Sequence, residues 1–318
     1  MKILFMGTSD FAVPTLEKLV DQKEWEVIAV VTQPDRPSGR GRKLTPSPVK
    51  LAAEKYQLPT LQPEKVRKQT VIQHLTDLAP DVIVVVAYGQ ILTKKILELP
   101  PSGCLNIHPS LLPKYRGAAP IQWALINGES ETGVTIMLLD EGEDTGDIIS
   151  QKAVGILADE TSITLHNRLA NLAPGLLIKA IKQCETEGGK PFHYPQDSSK
   201  SSQAPKLTKS TGIIDWNDNA EQIYNLIRGT LGWPGAKTYL AGFQVKIIDC
   251  TVVGLQLISG QIKVIRDPND GLSLVVGTSL GSLKLNTIQP ATKGPMSAVD
   301  FINGYGIKSG DYAHTNDG

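Results

Sequence analysis

The sequence has few cysteines and no recognisable metal-ligand pattern. Its 318 residues include three cysteines, far apart at positions 104, 184 and 250. These are too few for the disulfide framework of a secreted domain, and they lack the paired spacing of a zinc site. The five histidines form neither an H-x-x-x-H pair nor a His/Cys pair. We therefore expect reduced structural thiols and no bound metal.

The sequence has no net charge and shows no pattern that predicts a membrane span or a targeting segment. Its 32 Lys and Arg residues balance 32 Asp and Glu residues, which excludes a strongly basic coat but allows a local basic patch. The longest apolar stretch, 82–92, is too short to cross a bilayer. The N-terminus carries a brief apolar run without a cleavage pattern. We expect a cytoplasmic protein with no membrane partner.

A dinucleotide-binding turn is missing as well. The turn after the first predicted strand, 7–11, contains one glycine, where a nicotinamide-binding domain would carry G-x-G-x-x-G. A plain capped turn is the simpler interpretation of this segment, and a bound dinucleotide is disfavoured.

The first half of the chain alternates strand and helix patterns. Apolar or β-branched runs predict strands at 2–6, 27–32, 82–87, 105–108 and 133–139, and helical patterns lie between most of them. The continuously apolar run 82–87 is typical of a strand buried on both faces. This alternation predicts an α/β fold with a doubly wound (Rossmann-like), mostly parallel sheet. Such a sheet binds its ligand beyond the carboxyl ends of its strands.

The composition changes near residue 188. Residues 188–210 are rich in Ser, Pro, Gly, Lys and Gln, which is typical of a linker. Short β-branched runs separated by turns follow, and they predict a small, OB-like β-barrel. We predict a catalytic domain at 1–189, a linker at 190–208 and a C-terminal β-barrel domain at 209–318.

Polar residues near the ends of two predicted strands are candidates for chemistry. Asn106 and His108 are two apart on one strand and share a face, so an amide donor lies beside an imidazole. This pair can stabilise a carbonyl oxygen that gains charge while protons move near neutral pH. The acidic segment 140–147 follows the predicted strand 133–139, and we expect it to emerge at the same edge of the sheet, where one buried carboxylate can orient His108. From the residues alone, a hydrogen-bonded strand end and a solvated acidic turn remain open.

A basic segment follows the second predicted strand. No acidic residue lies between Asp35 and Glu54, and two glycines favour a mobile loop. The segment is either a solvated loop or a contact for phosphate. Its basic residues are Arg36, Arg40, Arg42, Lys43 and, further on, Lys50.

Longer motifs resemble a known family. Residues 106–120 read N-x-H-x-S-L-L-P-x-Y-R-G-A-A-P, and residues 143–147 read E-D-T-G-D. Together with M-G-T-S-D-F-A-V-P at 6–14 and matching residues between 289 and 304, they resemble the formyltransferases that use 10-formyltetrahydrofolate. The resemblance is strongest to members that act on initiator tRNA, and it covers both predicted domains.

The resemblance implies an activity and a set of site residues. It implies transfer of the formyl group of 10-formyltetrahydrofolate, the co-substrate, to the α-amine of methionine on initiator Met-tRNA, with no metal. We expect a monomer. The implied catalytic residues are Asn106, His108 and Asp144. The implied folate-binding residues are Ala87, Tyr88, Gly89, Gln90, Ile91, Leu92, Ser110, Leu111, Leu112 and Pro113. The implied tRNA-binding residues are Arg36, Arg40, Arg42 (the first choice), Lys43, Lys206 and Lys209.

Two other functions stay open at this point. A small-molecule formyltransferase or hydrolase of the same family, acting on an amino sugar, a purine precursor or water, would keep the catalytic residues but has no use for the basic loop. A binding module without catalysis would have no reason to keep all three catalytic groups. We also expect the basic loop to be unordered without RNA.

Overall fold

The structure is a computed structural model that describes residues 1–38, 43–267 and 271–315. The chain divides into two compact units. The first consists of Met1–Ala118, Thr132–Gly155 and His166–Ala204, and the second of Ala119–Glu131, Ile156–Leu165 and Pro205–Gly318. The predicted domain limits remain a prediction, because packing alone does not establish which segments fold independently.

Strands and helices alternate through most of residues 1–187, as the sequence predicts, with consecutive strands at 26–45 and at 131–155. In chain order they are β1 (Lys2–Gly7), α1 (Val13–Val20), β2 (Glu26–Val31), β3 (Arg36–Ser38), β4 (Lys43–Thr45), α2 (Pro48–Lys55), β5 (Thr60–Leu61), α3 (Gln69–Asp77), β6 (Val82–Val86), α4 (Lys94–Leu97), β7 (Cys104–His108), α5 (Pro120–Ile126), β8 (Glu131–Leu138), β9 (Ile148–Gly155) and α6 (Ser162–Glu187). Within the described ranges, no helix is long and apolar enough to cross a membrane.

The first unit is built on a mostly parallel sheet, as predicted. Its strand order is β5-β2-β1-β6-β7-β8-β9, and the pairs from β5 to β7 are parallel. Strand β6 is buried along its whole length, as its apolar run requires. The chain moves outward from β1 to β5 and then returns to β6 on the other side. The carboxyl ends of β1 and β6 therefore lie at the switch point where such sheets bind ligands.

Strand β8 runs against its neighbour. It pairs with β7 in antiparallel register, with Leu138 opposite Leu105 and Thr135 opposite His108. The loop that follows β8 therefore begins beside Cys104, whose carbonyl accepts a hydrogen bond from the Leu139 N–H at 2.8 Å. The prediction that this acidic loop emerges at the edge holding His108 is wrong, because the spacing of apolar runs carries no information on strand direction.

The second unit contains an antiparallel sheet, and two helices, at 220–230 and 298–305, pack against it. Its later elements are α7 (Ala220–Thr230), β10 (Ala236–Leu240), β11 (Phe243–Val253), β12 (Ile262–Asp267), β13 (Gly271–Gly277), β14 (Ser282–Pro290), β15 (Met296–Ser297), α8 (Ala298–Tyr305) and β16 (Ala313–His314). The strand order is β12-β13-β14-β11-β10-β16, with β15 paired to β14. Asn219 and Gln222 form a capping box at the start of α7. The predicted short strands are confirmed as an antiparallel sheet.

Candidate active site

Asn106 and His108 lie on β7, where every residue is buried. Asn106 is 9% exposed and His108 is 4% exposed. Because side chains alternate along a strand, both lie on the face opposite to Ile107. Within the described part of the chain, no group hydrogen-bonds to the side-chain amide of Asn106. Its N–H groups are therefore available to an oxygen atom of a bound molecule.

The imidazole of His108 is held between two acceptors. Its Nε2 lies 2.8 Å from the carbonyl oxygen of Tyr115, and its Nδ1 lies 3.5 Å from Oδ2 of Asp144. A neutral imidazole donates from only one nitrogen, so both contacts are satisfied together when each ring nitrogen carries a hydrogen. The two contacts fix the plane of the ring.

Asp144 reaches His108 because its loop folds back from the start of β7. The base of the loop is closed by the Leu138 N–H, which donates to the Asp147 carbonyl at 2.9 Å. Asp144 has φ +52°, a left-handed conformation that Asp tolerates better than most residues. Its Oδ2 also accepts a hydrogen bond from the Gly117 N–H at 2.8 Å. One carboxylate oxygen thus contacts both the ring and the loop beyond β7.

The segment 87–92 follows β6 and is anchored by polar contacts. The Tyr88 carbonyl accepts a hydrogen bond from the Thr8 hydroxyl at 2.8 Å, which ties the carboxyl ends of β6 and β1 together. The Gln90 side chain accepts from the Val66 N–H at 2.8 Å and donates to the Pro63 carbonyl at 3.1 Å. Burial raises the pKa of Tyr88 to about 12.

Between these anchors the segment is open to solvent. Ala87 and Gly89 are exposed and have φ +46° and +84°, and Ile91 is 88% exposed. Leu92 is buried and fixes the far end of the segment. Backbone amides and one apolar side chain are therefore presented at the sheet edge, while Tyr88 and Leu92 belong to the packing beneath.

The other predicted folate segment, 110–113, uses its own hydroxyl internally. Ser110 is fully buried, and its Oγ donates to the Lys114 carbonyl at 2.7 Å. Its carbonyl accepts from the Thr135 hydroxyl at 2.7 Å. Leu112 is also buried, whereas Leu111 and Pro113 are half-buried. The apolar side chains available to a ligand from this segment are therefore those of Leu111 and Pro113.

The predicted basic loop has strands at its base. β3 and β4 form an antiparallel ladder in which Arg36 lies opposite Thr45 and Ser38 opposite Lys43. Arg40 and Arg42 lie outside the described residues. The paired strands at 36–38 and 43–45 contradict the expectation that the whole basic loop is unordered without RNA.

Acidic residues close in space contact part of this basic segment. Lys50 Nζ lies 2.8 Å from Asp35 Oδ2. The hydrogen bonds from Lys50 and Gln62 lower the pKa of Asp35. The Arg36 guanidinium lies 3.7 Å from the Glu64 carboxylate, with both side chains exposed. The sequence interval without acidic residues therefore overstates the free positive charge.

Other predicted tRNA-binding residues are exposed. Lys43 lies at the start of β4 in the first unit, and Lys206 and Lys209 lie at the start of the last segment of the second unit. Exposure leaves all three ammonium groups accessible to phosphate.

Sequence reasoning missed the groups that hold the His108–Asp144 contact in place. The Tyr115 carbonyl and the Gly117 N–H belong to the Y-R-G segment at 115–117, but backbone groups leave no mark on a sequence beyond the glycine itself. Gln196, whose amide hydrogen-bonds to the backbone of Asp144, lies in the predicted linker. No pattern around Gln196 points to such a contact.

Family models match the chain in two places. A formyl transferase model matches residues 1–181, and a model of the formyl transferase C-terminal domain matches residues 206–306. A methionyl-tRNA formyltransferase from Geobacter metallireducens is 46% identical over 98% of this chain and 97% of its own length. A methionyl-tRNA formyltransferase from Alkaliphilus oremlandii is also 46% identical, over 98% of this chain and 99% of its own length.

Solved structures share the fold at lower identity. The sugar 3N-formyl transferase WlaRD, solved with dTDP and 5-N-formyl-THF, is 20% identical and has a TM-score of 0.66 over 92% of this chain and 99% of its own. HypX from Aquifex aeolicus in complex with tetrahydrofolic acid is 16% identical, with a TM-score of 0.62 over 97% of this chain and 48% of its own. The two family models together span most of the sequence, and the chain belongs to the formyl transferase family.

Proposed function

We propose that this chain transfers the formyl group of 10-formyltetrahydrofolate to the α-amine of methionine on initiator Met-tRNA. The observation that carries the proposal is the 46% identity over 98% of the chain to proteins named for this activity. The site supports it, because an unpartnered amide on Asn106 lies on the same strand as an imidazole held by a carboxylate. Such a donor can stabilise the oxyanion that develops during acyl transfer, and the imidazole can carry the proton that the amine loses.

The reaction needs no nucleophile from the enzyme. 10-Formyltetrahydrofolate supplies an activated formyl group on N10. A free α-amino group has a pKa of about 7.7–8.0, and the ester link to the tRNA lowers it further, so unprotonated acceptor amine is available near neutral pH. The amine forms the new C–N bond, the bond from the formyl carbon to N10 breaks, and the amine's proton passes to N10. Asn106 donates a hydrogen bond to the formyl oxygen as negative charge grows there.

His108 moves the proton. Its Nε2–H remains on the Tyr115 carbonyl, which cannot take a proton at neutral pH. We place the exchangeable proton at Nδ1, whose 3.5 Å contact with Asp144 is longer than a charge-assisted hydrogen bond of about 2.7–2.9 Å. The Asp144 carboxylate stabilises the imidazolium formed when the amine's proton arrives.

The segments 87–92 and 110–113 fit a flat, polar-edged ring. The exposed backbone of Ala87 and Gly89 offers hydrogen-bonding groups, and Ile91 and Leu111 offer apolar faces. Pockets for small molecules combine these two kinds of group. We place the pterin of the folate against these segments.

We propose that the tRNA binds to basic residues of both units. The backbone phosphates would contact Arg36, Arg40, Arg42 and Lys43 in the first unit, and Lys206 and Lys209 in the second. In this proposal the second unit closes as an OB-like barrel, a fold that binds oligonucleotides. The protein would act as a cytoplasmic monomer, with a catalytic domain at 1–189, a linker at 190–208 and the barrel at 209–318.

A formyl-transfer assay with alternative acceptors tests the proposal. The purified protein receives 10-formyltetrahydrofolate with initiator Met-tRNA, with elongator Met-tRNA, or with no acceptor. We expect formylmethionine on the initiator alone. Consumption of the folate without any aminoacyl-tRNA would instead indicate a hydrolase, and no consumption would indicate a binding protein.

A further inference from the structure

Residues 194–204 have the composition of a linker, yet they are bonded to the candidate active site. We call them the strap. At one end Tyr194 exchanges two backbone hydrogen bonds with Ile148, at 2.8 and 3.0 Å. At the other end the Ala204 N–H donates to the Arg116 carbonyl at 2.6 Å. The strap therefore joins the strand after the Asp144 loop to the loop after β7, all within the first unit.

Gln196 makes the central contact of the strap. Its Nε2 donates to the carbonyl of Asp144 at 2.8 Å and to the carbonyl of Gly146 at 2.7 Å. Its Oε1 accepts from Nε and Nη2 of Arg116, at 3.0 and 2.8 Å. A side-chain amide has two hydrogens to donate and two lone pairs to accept, and here all four are used.

The orientation of this amide is fixed by charge. Rotating it by half a turn would bring its N–H groups against the Arg116 guanidinium, which only donates, and its oxygen against two carbonyls, which only accept. Arg116 is itself 6% exposed, and a buried guanidinium strongly favours an acceptor in this place. Arg116 therefore orients Gln196, and Gln196 in turn fixes the backbone on both sides of Thr145.

That backbone needs support from outside the loop. Asp144 adopts φ +52°, which costs free energy for a residue with a Cβ and persists only where surrounding contacts impose it. The strap also supports the opposite side of the ring, since Ser202 Oγ accepts from the N–H of Tyr115 at 2.9 Å and the Tyr115 carbonyl contacts His108. Both acceptors of the imidazole are thus placed by residues of the strap.

We propose that Gln196 is a positioning residue for formyl transfer: oriented by Arg116, it holds the Asp144 loop so that the carboxylate faces His108. This inference rests on the proposed function, because it gives Gln196 its effect through the catalytic role of Asp144. Gln196 does not touch the reacting atoms in this account.

The test replaces Gln196 with Glu. Gln196→Glu keeps an acceptor for Arg116 but removes both N–H donors and places a carboxylate oxygen against two carbonyls. Gln183→Glu, on the exposed face of α6, is the matched control for the added charge. Steady-state rates of initiator Met-tRNA formylation are measured for both variants, for Asp144→Asn and for the double variant. Thermal unfolding of each is recorded in parallel.

We expect Gln196→Glu to lower kcat about 10- to 100-fold with KM for both substrates changed less than about threefold, because only the geometry of the catalytic pair is lost. In the Asp144→Asn background the same substitution should cost less than about threefold, since residues that act through one another are non-additive. Gln183→Glu should behave as wild type.

Other outcomes separate the two levels of the proposal. Equal losses in both backgrounds, or a lower unfolding temperature with kcat retained, would show that Gln196 is merely structural. If Asp144→Asn loses kcat while Gln196→Glu keeps it, the catalytic assignment stands and the inference is overturned. If Asp144→Asn keeps the wild-type kcat, the assignment of Asp144 is wrong, and the role of Gln196 falls with it.

Discussion

Tyr88 combines deep burial with a polar group that the fold does not use. Its side chain is 2% exposed, and no described residue hydrogen-bonds to its hydroxyl. An unpaired buried hydroxyl costs about 1–3 kcal/mol of stability. Burial also raises the pKa of Tyr88 from 10.0 to about 12, because the phenolate is poorly solvated there. The aromatic ring packs in the hydrophobic core and stabilises the fold, so only the hydroxyl group lowers the stability.

Replacing Tyr88 with Phe should therefore stabilise the protein. Removing the hydroxyl is expected to add about 1 kcal/mol, which corresponds to a rise in Tm of about 2–4 °C. Because burial raises the pKa of Tyr88 to about 12, the phenol ionises more readily in the unfolded chain than in the folded protein, so wild type loses stability as the pH rises from about 10 to about 12. The Tm difference between Tyr88→Phe and wild type should thus widen on going from about pH 9 to about pH 11.

Thermal unfolding at these pH values checks the expectation, with Tyr312→Phe as a control at an exposed phenol. Tyr312→Phe should show no such widening. A lower Tm for Tyr88→Phe would mean that its hydroxyl makes a stabilising contact, contrary to the burial argument.

The position of a site residue could be predicted from the sequence where a local pattern indicated it. The two-residue spacing of Asn106 and His108 on a strand predicts that they share a face, and both are on β7. The contact of Asp144 with His108 followed from the family motif, since the strand argument behind it was wrong. Gln196 had no local signature, because its partner Asp144 is 52 positions away in the chain. Composition around Gln196 suggested only a linker.

Among the elements, the loop after β7 depends on one glycine. Gly117 has φ +113°, and a Cβ added there would lie 2.9 Å from the Ala204 carbonyl oxygen. Its N–H also donates to Asp144. A side chain at this position would strain the backbone and push the loop away from residue 204. The closeness of these two segments therefore requires glycine.

Gly117→Ala should lower both stability and activity. Strain of this kind costs about 1–3 kcal/mol of stability. Moving the N–H of residue 117 away from Asp144 should lower kcat and leave KM nearly unchanged. Gly175→Ala provides the matched control, because Gly175 lies on an exposed turn of α6 with no atom near the added Cβ. There the same substitution should raise stability by about 0.5–1 kcal/mol. Equal effects at the two glycines, measured by unfolding and formylation rate, would refute the close-approach argument.

Element type was easier to predict than element direction. The apolar runs located β1, β2, β6, β7 and β8 to within a residue or two. Strand β8 is the exception in direction, because it pairs with β7 in antiparallel register. The sequence could not predict this direction, since a run of apolar residues has the same pattern in a parallel and an antiparallel strand. The path of the Asp144 loop was unpredicted for the same reason. The loop begins beside the start of β7 and must run back along the sheet for Asp144 to contact His108 at the end of β7.

For the whole molecule, zero net charge requires a local source of affinity for RNA. The 32 cationic side chains are balanced over the chain, and two near the basic segment contact carboxylates, Lys50 with Asp35 and Arg36 with Glu64. The cations proposed to contact phosphate there are Arg36, Arg40, Arg42 and Lys43, and Arg36 would leave its exposed contact with Glu64 to do so. The composition excluded a basic coat. Only the structure shows which of the basic side chains lie beside carboxylates.

Arg42→Ala should therefore weaken tRNA use without affecting folate use. Loss of one phosphate contact is expected to raise KM for initiator Met-tRNA and to reduce the dependence of log KM on log salt by about one unit. KM for 10-formyltetrahydrofolate should not change. Lys182→Ala, at an exposed lysine on α6 that faces Glu24, is the control. A salt dependence as steep as that of wild type would exclude a phosphate contact by Arg42.

The most direct test of the account is the single-turnover rate of formyl transfer from 10-formyltetrahydrofolate to initiator Met-tRNA by Asn106→Ala. Removing one donor to a developing oxyanion typically costs about 10²–10³ in rate, and we predict a loss of that size with an unchanged unfolding temperature. A wild-type rate, or a loss that merely follows unfolding, would contradict the claim that Asn106 stabilises the reacting formyl oxygen.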